Sequence, residues 1–145
     1  MTPEQKKEGL VHVRYEMRRL RECYDRWNAL HDGVYTQSEM NDLIELTLLH
    51  SRTILDFFEC SRGHSEIRKR NAHKEDIVSE DYNWPAKAIT IDKKIKKRIN
   101  TEIAHLSYIR CGLTREQKRW SPELFVPLLL KQSVAFLAHI DAKKA

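Results

Sequence analysis

Leu10, Val13, Met17, Leu20, Tyr24 and Trp27 recur at alternating spacings of three and four residues, and only an α-helix gathers such a set onto one face. The stripe predicts a first helix over about Pro3–His31, ended by Asp32-Gly33. Arg14, Arg18, Arg19 and Arg21 lie off the stripe, turned to solvent or to a ligand.

Three further segments read the same way. Thr36-Gln37-Ser38-Glu39 is a capping-box pattern, in which Thr36 and Glu39 satisfy exposed backbone N–H groups, and losing such a cap typically costs about 1 kcal/mol. The helix it opens should reach about Cys60 with apolar residues on two sides: Met40, Ile44, Leu48, Leu55 and Phe58 on one, Leu46, Leu49 and Phe57 on the other. A helix apolar on both sides is central in a bundle or lies in a subunit interface. A third helix is expected over about Ile91–Cys111, with Thr90 as cap, Gly112 as stop, and a stripe of Ile91, Ile95, Ile99, Ile103, Leu106 and Ile109. The last is expected from Ser121-Pro122-Glu123 to about Ile140, through Leu124, Leu128, Val134 and Leu137. Residues 61–87 interrupt the pattern with a long polar connection that is either functional or mobile.

Only 4 Gly and 4 Pro occur in 145 residues, and no Val/Ile/Thr alternation recurs, so the fold class is all-α: one domain over residues 1–145, a four-helix-type up-down bundle. From the polar start Met1–Gly9 no signal peptide is expected, and the longest apolar run, Phe125–Leu130, contains Pro127 and is too short to span a bilayer. Cys23, Cys60 and Cys111 show no CxxC spacing, so reduced thiols in a cytoplasmic protein without cofactor or structural zinc are expected. With 26 Lys+Arg against 21 Asp+Glu, the surplus of +5 permits an anionic partner such as RNA, although solvated helix faces also account for it.

Arg98-Ile99-Asn100-Thr101-Glu102-Ile103-Ala104-His105 is the segment with the most chemistry. At about 100° per residue, Arg98, Glu102 and His105 share one side of the third helix. Glu102 falls inside the isoleucine stripe, where an unpaired carboxylate is costly, so Arg98 or His105 should pair with it. Arg26–His31 and Arg68–His73 each show an Arg-x4-His spacing. Residues five apart on a helix diverge by about 140°, which separates the first pair, and the second lies in the polar connection, where no regular geometry is expected. The basic runs Arg68–Lys74 and Lys93–Arg98, with Arg68, Arg70, Lys94 and Lys97 foremost, suit a phosphate backbone, and Trp84 suits a stacked base; a solvated loop and helix face is the plain alternative.

The Arg-x6-His element resembles the HEPN group of helical proteins, many of them metal-independent ribonucleases. Ile99, rather than the group's usual Asn or Asp, follows Arg98, and Asn100 stands one place later. A broader resemblance, to uncharacterised bacterial proteins, covers roughly residues 40–140 through His50–Phe58, Glu75-Asp76-Ile77, Asp81-Tyr82, Arg98–Tyr108 and Trp120. It implies a bacterial helical bundle, whereas the HEPN resemblance implies a role in toxin or defence systems with an antitoxin as protein partner, and a homodimer would supply the second histidine that such chemistry needs. The HEPN resemblance also implies RNA cleavage by attack of a ribose 2′-hydroxyl. Arg98 would hold the phosphate, His105 would move protons near neutral pH, and Glu102 and Asn100 would orient them.

Three alternatives stand beside that reading. Arg98, Glu102 and His105 form a polar cluster that only fixes helix register. Glu102-x-x-His105 resembles half a di-iron unit, without a second copy, and His50, His105 and His139 could gather one divalent ion. The bundle is a non-catalytic protein-interaction module.

Overall fold

The computed structural model describes residues 1–30, 33–63, 71–102, 114, 116 and 119–143. Four α-helices occur among them: α1 (Pro3–Ala29), α2 (Gln37–Glu59), α3 (Lys93–Glu102) and α4 (Val126–Ala142). Single 3-10 turns, Ser79–Tyr82 and Pro122–Leu124, precede α3 and α4. No strand occurs among the described residues beyond an isolated bridge between Ser61 and Asn71, so the fold is all-α.

Both long helices open with a reciprocal cap, the α1 box using Thr2 and Gln5 and the α2 box Thr36 and Glu39. The α1 stripe lies where expected: Val13, Met17 and Leu20 are buried, with Leu10 and Tyr24 packed against the core. Cys23 meets the Thr47 hydroxyl while Glu16 meets His50, so α1 and α2 run antiparallel. Thr47 and Ser51 are fully buried in α2, and each returns its hydroxyl to the carbonyl four residues back, which removes the cost of an unpaired donor. Cys23 and Cys60 are buried, and neither is in a disulfide among the described residues.

α2 is central, packing against α1, α3 and α4, but of its expected second apolar side only Phe57 is buried, while Leu46 and Leu49 are exposed. Phe57 and Phe58 leave it together and meet Phe136 of α4 at centroid separations of 5.1 and 5.9 Å. Tyr82 and Trp84 approach Phe136 edge-on at 5.9 Å each. Phe136 is therefore the hub of the core.

Three expectations are corrected. The α4 stripe is rotated: Leu124, Leu128 and Val134 are 59%, 39% and 57% exposed, whereas Val126, Leu129, Leu130, Ser133, Phe136 and Ile140 are buried. The segment is apolar nearly all round, so periodicity left its phase open. Its start is also later, because Ser121 makes no side-chain cap and Phe125, 1% exposed, leaves helical geometry between the 3-10 turn and α4. In α3 the cap is Asp92, not Thr90: its carboxylate accepts from the backbone N–H of Lys94 at 2.8 Å and of Ile95 at 3.4 Å. Ile91 and Ile99 are buried and Ile95 packs on the core; Ile103, Leu106, Ile109 and the Gly112 stop lie outside the described residues.

The described parts of the polar connection are organised by Arg62. Its guanidinium holds the Asp81 carboxylate in a fork of 2.7 and 2.8 Å and donates to the carbonyls of His73, Lys74 and Asp76. Burial, the largest influence on Asp81, would raise its carboxyl. Hydrogen bonds from Arg62 and from the Val78 N–H outweigh it and hold the carboxyl below its ordinary value. A carboxylate depressed in the folded chain stabilises the fold above its unfolded pKa, near 3.9, and that contribution is lost as pH falls through the folded value. The urea midpoint should thus drop as pH falls below about 4, and Asp81→Asn, weakened already at pH 7, should show a smaller acid drop.

Gly9 is a close approach of helix to connection. A Cβ there would stand 2.7 Å from the Tyr82 hydroxyl and 3.0 Å from Ile77 Cδ1. Tyr82 donates to the Lys6 carbonyl at 3.0 Å, and burial followed by the Asp81 charge pushes its phenol up to about 12. Gly→Ala within a helix ordinarily gains about 0.5–1 kcal/mol. At Gly9 the clash should reverse the sign, giving a net loss of about 1–2 kcal/mol by chemical denaturation.

Candidate functional site

Lysines crowd α3, and what places them is its anchorage at both ends. Near its start, Glu59 at the end of α2 accepts from the Ile89 N–H at 2.8 Å and from Lys96 Nζ at 2.5 Å. Near its end, Ile99 is wholly buried. This anchoring leaves Lys93, Lys94 and Lys97 exposed.

Arg98 and Glu102, four residues apart, meet as the helical spacing predicts. Arg98 Nε donates to Glu102 Oε1 at 2.9 Å and Nη2 donates to Oε2 at 3.0 Å, a bidentate fork. Glu102 is 14% exposed at its side chain and Arg98 28%, so the carboxylate sits against the core with its charge balanced. Two longer-range contacts complete the arrangement. Nη1 donates to the Arg119 carbonyl at 3.1 Å, and the guanidinium lies over the Trp120 indole, 4.1 Å from its centroid. Trp120 is in turn braced edge-on by Phe125 at 6.2 Å. Among the described residues three of the five guanidinium N–H groups are committed, leaving one on Nη1 and one on Nη2. The result is a cation held in one orientation beside exposed lysines.

The remaining predicted residues divide. Asn100 is half-buried on α3 and has an interaction partner. His105, Arg68 and Arg70 lie outside the described residues. The Arg26–His31 and Arg68–His73 pairs do so in part, through His31 and Arg68. Trp84, considered for stacking, is packed against Phe136 and His139. Among the described residues no three His, Cys, Asp or Glu side chains are grouped to hold a metal ion, and no helix is long and apolar enough to cross a membrane.

A groove of about 810 Å³ was not legible in the sequence. It opens between α1, α2 and residues 71–78, with His12, Glu16, Arg52, Asp56 and His73 among its lining and Phe57 as part of its apolar floor. Glu16 also receives His50, whose buried Nδ1 stands 2.7 Å from Glu16 Oε2, so His50 ties α2 to α1. Arg52, within the His50–Phe58 stretch that carries the broader resemblance, lies 3.9 Å from Asp56. The only sequence signal was an i, i+4 pair of polar residues on each helix, 12 with 16 and 52 with 56, and periodicity does not say which helix faces meet.

Against protein-family models, curated proteins and solved structures, the chain shows no match.

Proposed function

We propose that this chain is a HEPN-like RNA-binding protein that acts as a metal-independent endoribonuclease, with α3 as the phosphate-binding face. The observation that supports the reading is the Arg98 guanidinium, fixed by Glu102, the Arg119 carbonyl and Trp120, with two N–H donors uncommitted among the described residues and Lys94 and Lys97 exposed on the same helix. A planar cation oriented in advance holds phosphate oxygens with little ordering cost. In the reaction, the ribose 2′-oxygen attacks the adjacent phosphorus, the 5′-oxygen leaves, and a 2′,3′-cyclic phosphate and a 5′-hydroxyl result. His105 carries the proton to or from these oxygens, work worth about 10²–10⁴-fold in rate. One imidazole cannot serve both oxygens at once, and a homodimer that juxtaposes two copies supplies the second.

The test is incubation of the pure protein with single-stranded and structured RNA in EDTA, beside Arg98→Ala and His105→Ala. Cleavage by the unmodified chain alone, leaving cyclic phosphate ends, is the expected result; no cleavage by any of the three, all folded alike, overturns the catalytic reading. RNA affinity should fall steeply with salt, and Lys94→Ala or Lys97→Ala should each flatten that slope by about one unit.

A second reading, a non-catalytic interaction module, draws on the outward apolar residues Leu124, Leu128 and Val134, with Leu46 and Leu49 of α2 36% and 49% exposed. Such residues suit a protein partner, an antitoxin or a second copy among them. Growth arrest on overexpression that His105→Ala relieves supports the nuclease; indifference to the substitution supports the module.

A further inference from the structure

The indole that carries Arg98 also walls a separate cavity. Trp120 and Arg119 form one side of a space of about 490 Å³, and Trp27, at the end of α1, lines it too. The first turns of α2 contribute Gln37 and Asn41, with Met40 and Ile44 as the apolar part of the lining. Its volume is within the usual range for small-molecule sites, which are mostly apolar with a few placed polar groups.

We propose that this cavity is a nucleobase subsite, which takes one unpaired base of an RNA strand whose phosphates lie on α3. The inference rests on the RNA-binding reading of Arg98 and adds to it the group that reads the base. Two indoles in one concavity offer the flat π-faces on which bases stack. The polar partners are amides rather than charges: Gln37 Nε2 donates to Asn41 Oδ1 at 2.9 Å. That bond leaves the Gln37 carbonyl oxygen as an acceptor and the Asn41 amide nitrogen as a donor at the cavity lining. A base edge that offers a donor beside an acceptor, such as N6 with N7 of adenine, matches this pair. Arg119, exposed at the cavity wall, stands between the subsite and the Arg98 stack, where a strand passing from base to phosphate would meet it.

The chain has three tryptophans, two of which line the cavity, so indole fluorescence reports on occupancy. The experiment titrates the full chain with a single-stranded oligoadenylate of about eight nucleotides and with an abasic ribose-phosphate polymer of the same length. The expected result is quenching by the oligoadenylate and at least about tenfold tighter binding of it than of the abasic polymer. Trp27→Leu and, on the exposed helix surface where folding is not at stake, Asn41→Ala should both shrink that preference while abasic binding persists. Arg98→Ala should weaken both polymers together. Equal affinity of the unmodified chain for the two polymers overturns the subsite and leaves the phosphate face standing. If neither polymer binds, the phosphate face fails, and adenosine decides the subsite separately. Quenching by millimolar adenosine that Trp27→Leu abolishes sustains it, and no quenching overturns it.

Discussion

Phe136→Ala should destabilise the protein by about 3–5 kcal/mol, a large share of the 5–15 kcal/mol that holds a domain of this size folded. The side chain has no exposed surface and meets Phe57, Phe58, Tyr82 and Trp84, which belong to α2 and to the connection before α3. Truncation removes the transfer energy of the ring. It also leaves a void that four rigid aromatic neighbours cannot close by rotamer changes, so the upper part of the range is expected. The thermal midpoint should fall by roughly 10–15 °C. Phe136→Leu, which fills most of the space, should cost less than about 2 kcal/mol. Val134, two residues earlier on α4 and 57% exposed, is the control, and Val134→Ala should stay within about 0.5 kcal/mol of the unmodified chain. Urea denaturation of the three variants separates the two phases of α4. Were Val134→Ala as damaging as Phe136→Ala, the helix would face the other way.

That contrast shows which part of the fold could be read from residue order. The α1 stripe and the α2 cap were legible because each is a local pattern with one solution: apolar residues on one face, or a hydroxyl three residues from a carboxylate. The phase of α4 was not, since Leu124, Leu128 and Val134 fit the same spacing as the residues that are buried. Only the aromatic partners brought by α2 and the connection decide it. The cap of α3 was misplaced for a related reason, because Thr90 and Asp92 are both capping residues and only hydrogen bonds distinguish them. In the candidate site, the Arg98–Glu102 fork is an i, i+4 contact and could be anticipated, as could the need of Glu102 for a partner. The stacking of Arg98 on Trp120 and its bond to the Arg119 carbonyl span more than twenty residues, so no periodicity announces them.

Arg98→Ala and Glu102→Gln should separate stability from function at α3. The ion pair is partly exposed, which limits its worth to about 1 kcal/mol. Arg98→Ala also forfeits the carbonyl hydrogen bond and the indole contact, each worth about 0.5–1 kcal/mol, for a total of roughly 2–3 kcal/mol. Glu102→Gln keeps the side-chain shape and the Trp120 contact and should cost about 1 kcal/mol. On RNA the gap should be far wider. Removing a fixed donor from a developing phosphate charge typically costs about 10²–10³-fold in rate, so Arg98→Ala should lose that much cleavage. Glu102→Gln, with the guanidinium still over Trp120, should remain within about tenfold of the unmodified chain. Arg98→Lys keeps the charge without the planar fork, so it should recover salt-dependent binding but not cleavage. A cluster that served register alone would behave differently: at a temperature where all three variants are folded, RNA affinity and cleavage would be indifferent to every one of them. The ratio of activity loss to stability loss at Arg98, set against the same ratio at Glu102, therefore decides whether this guanidinium is held for the fold or for a phosphate.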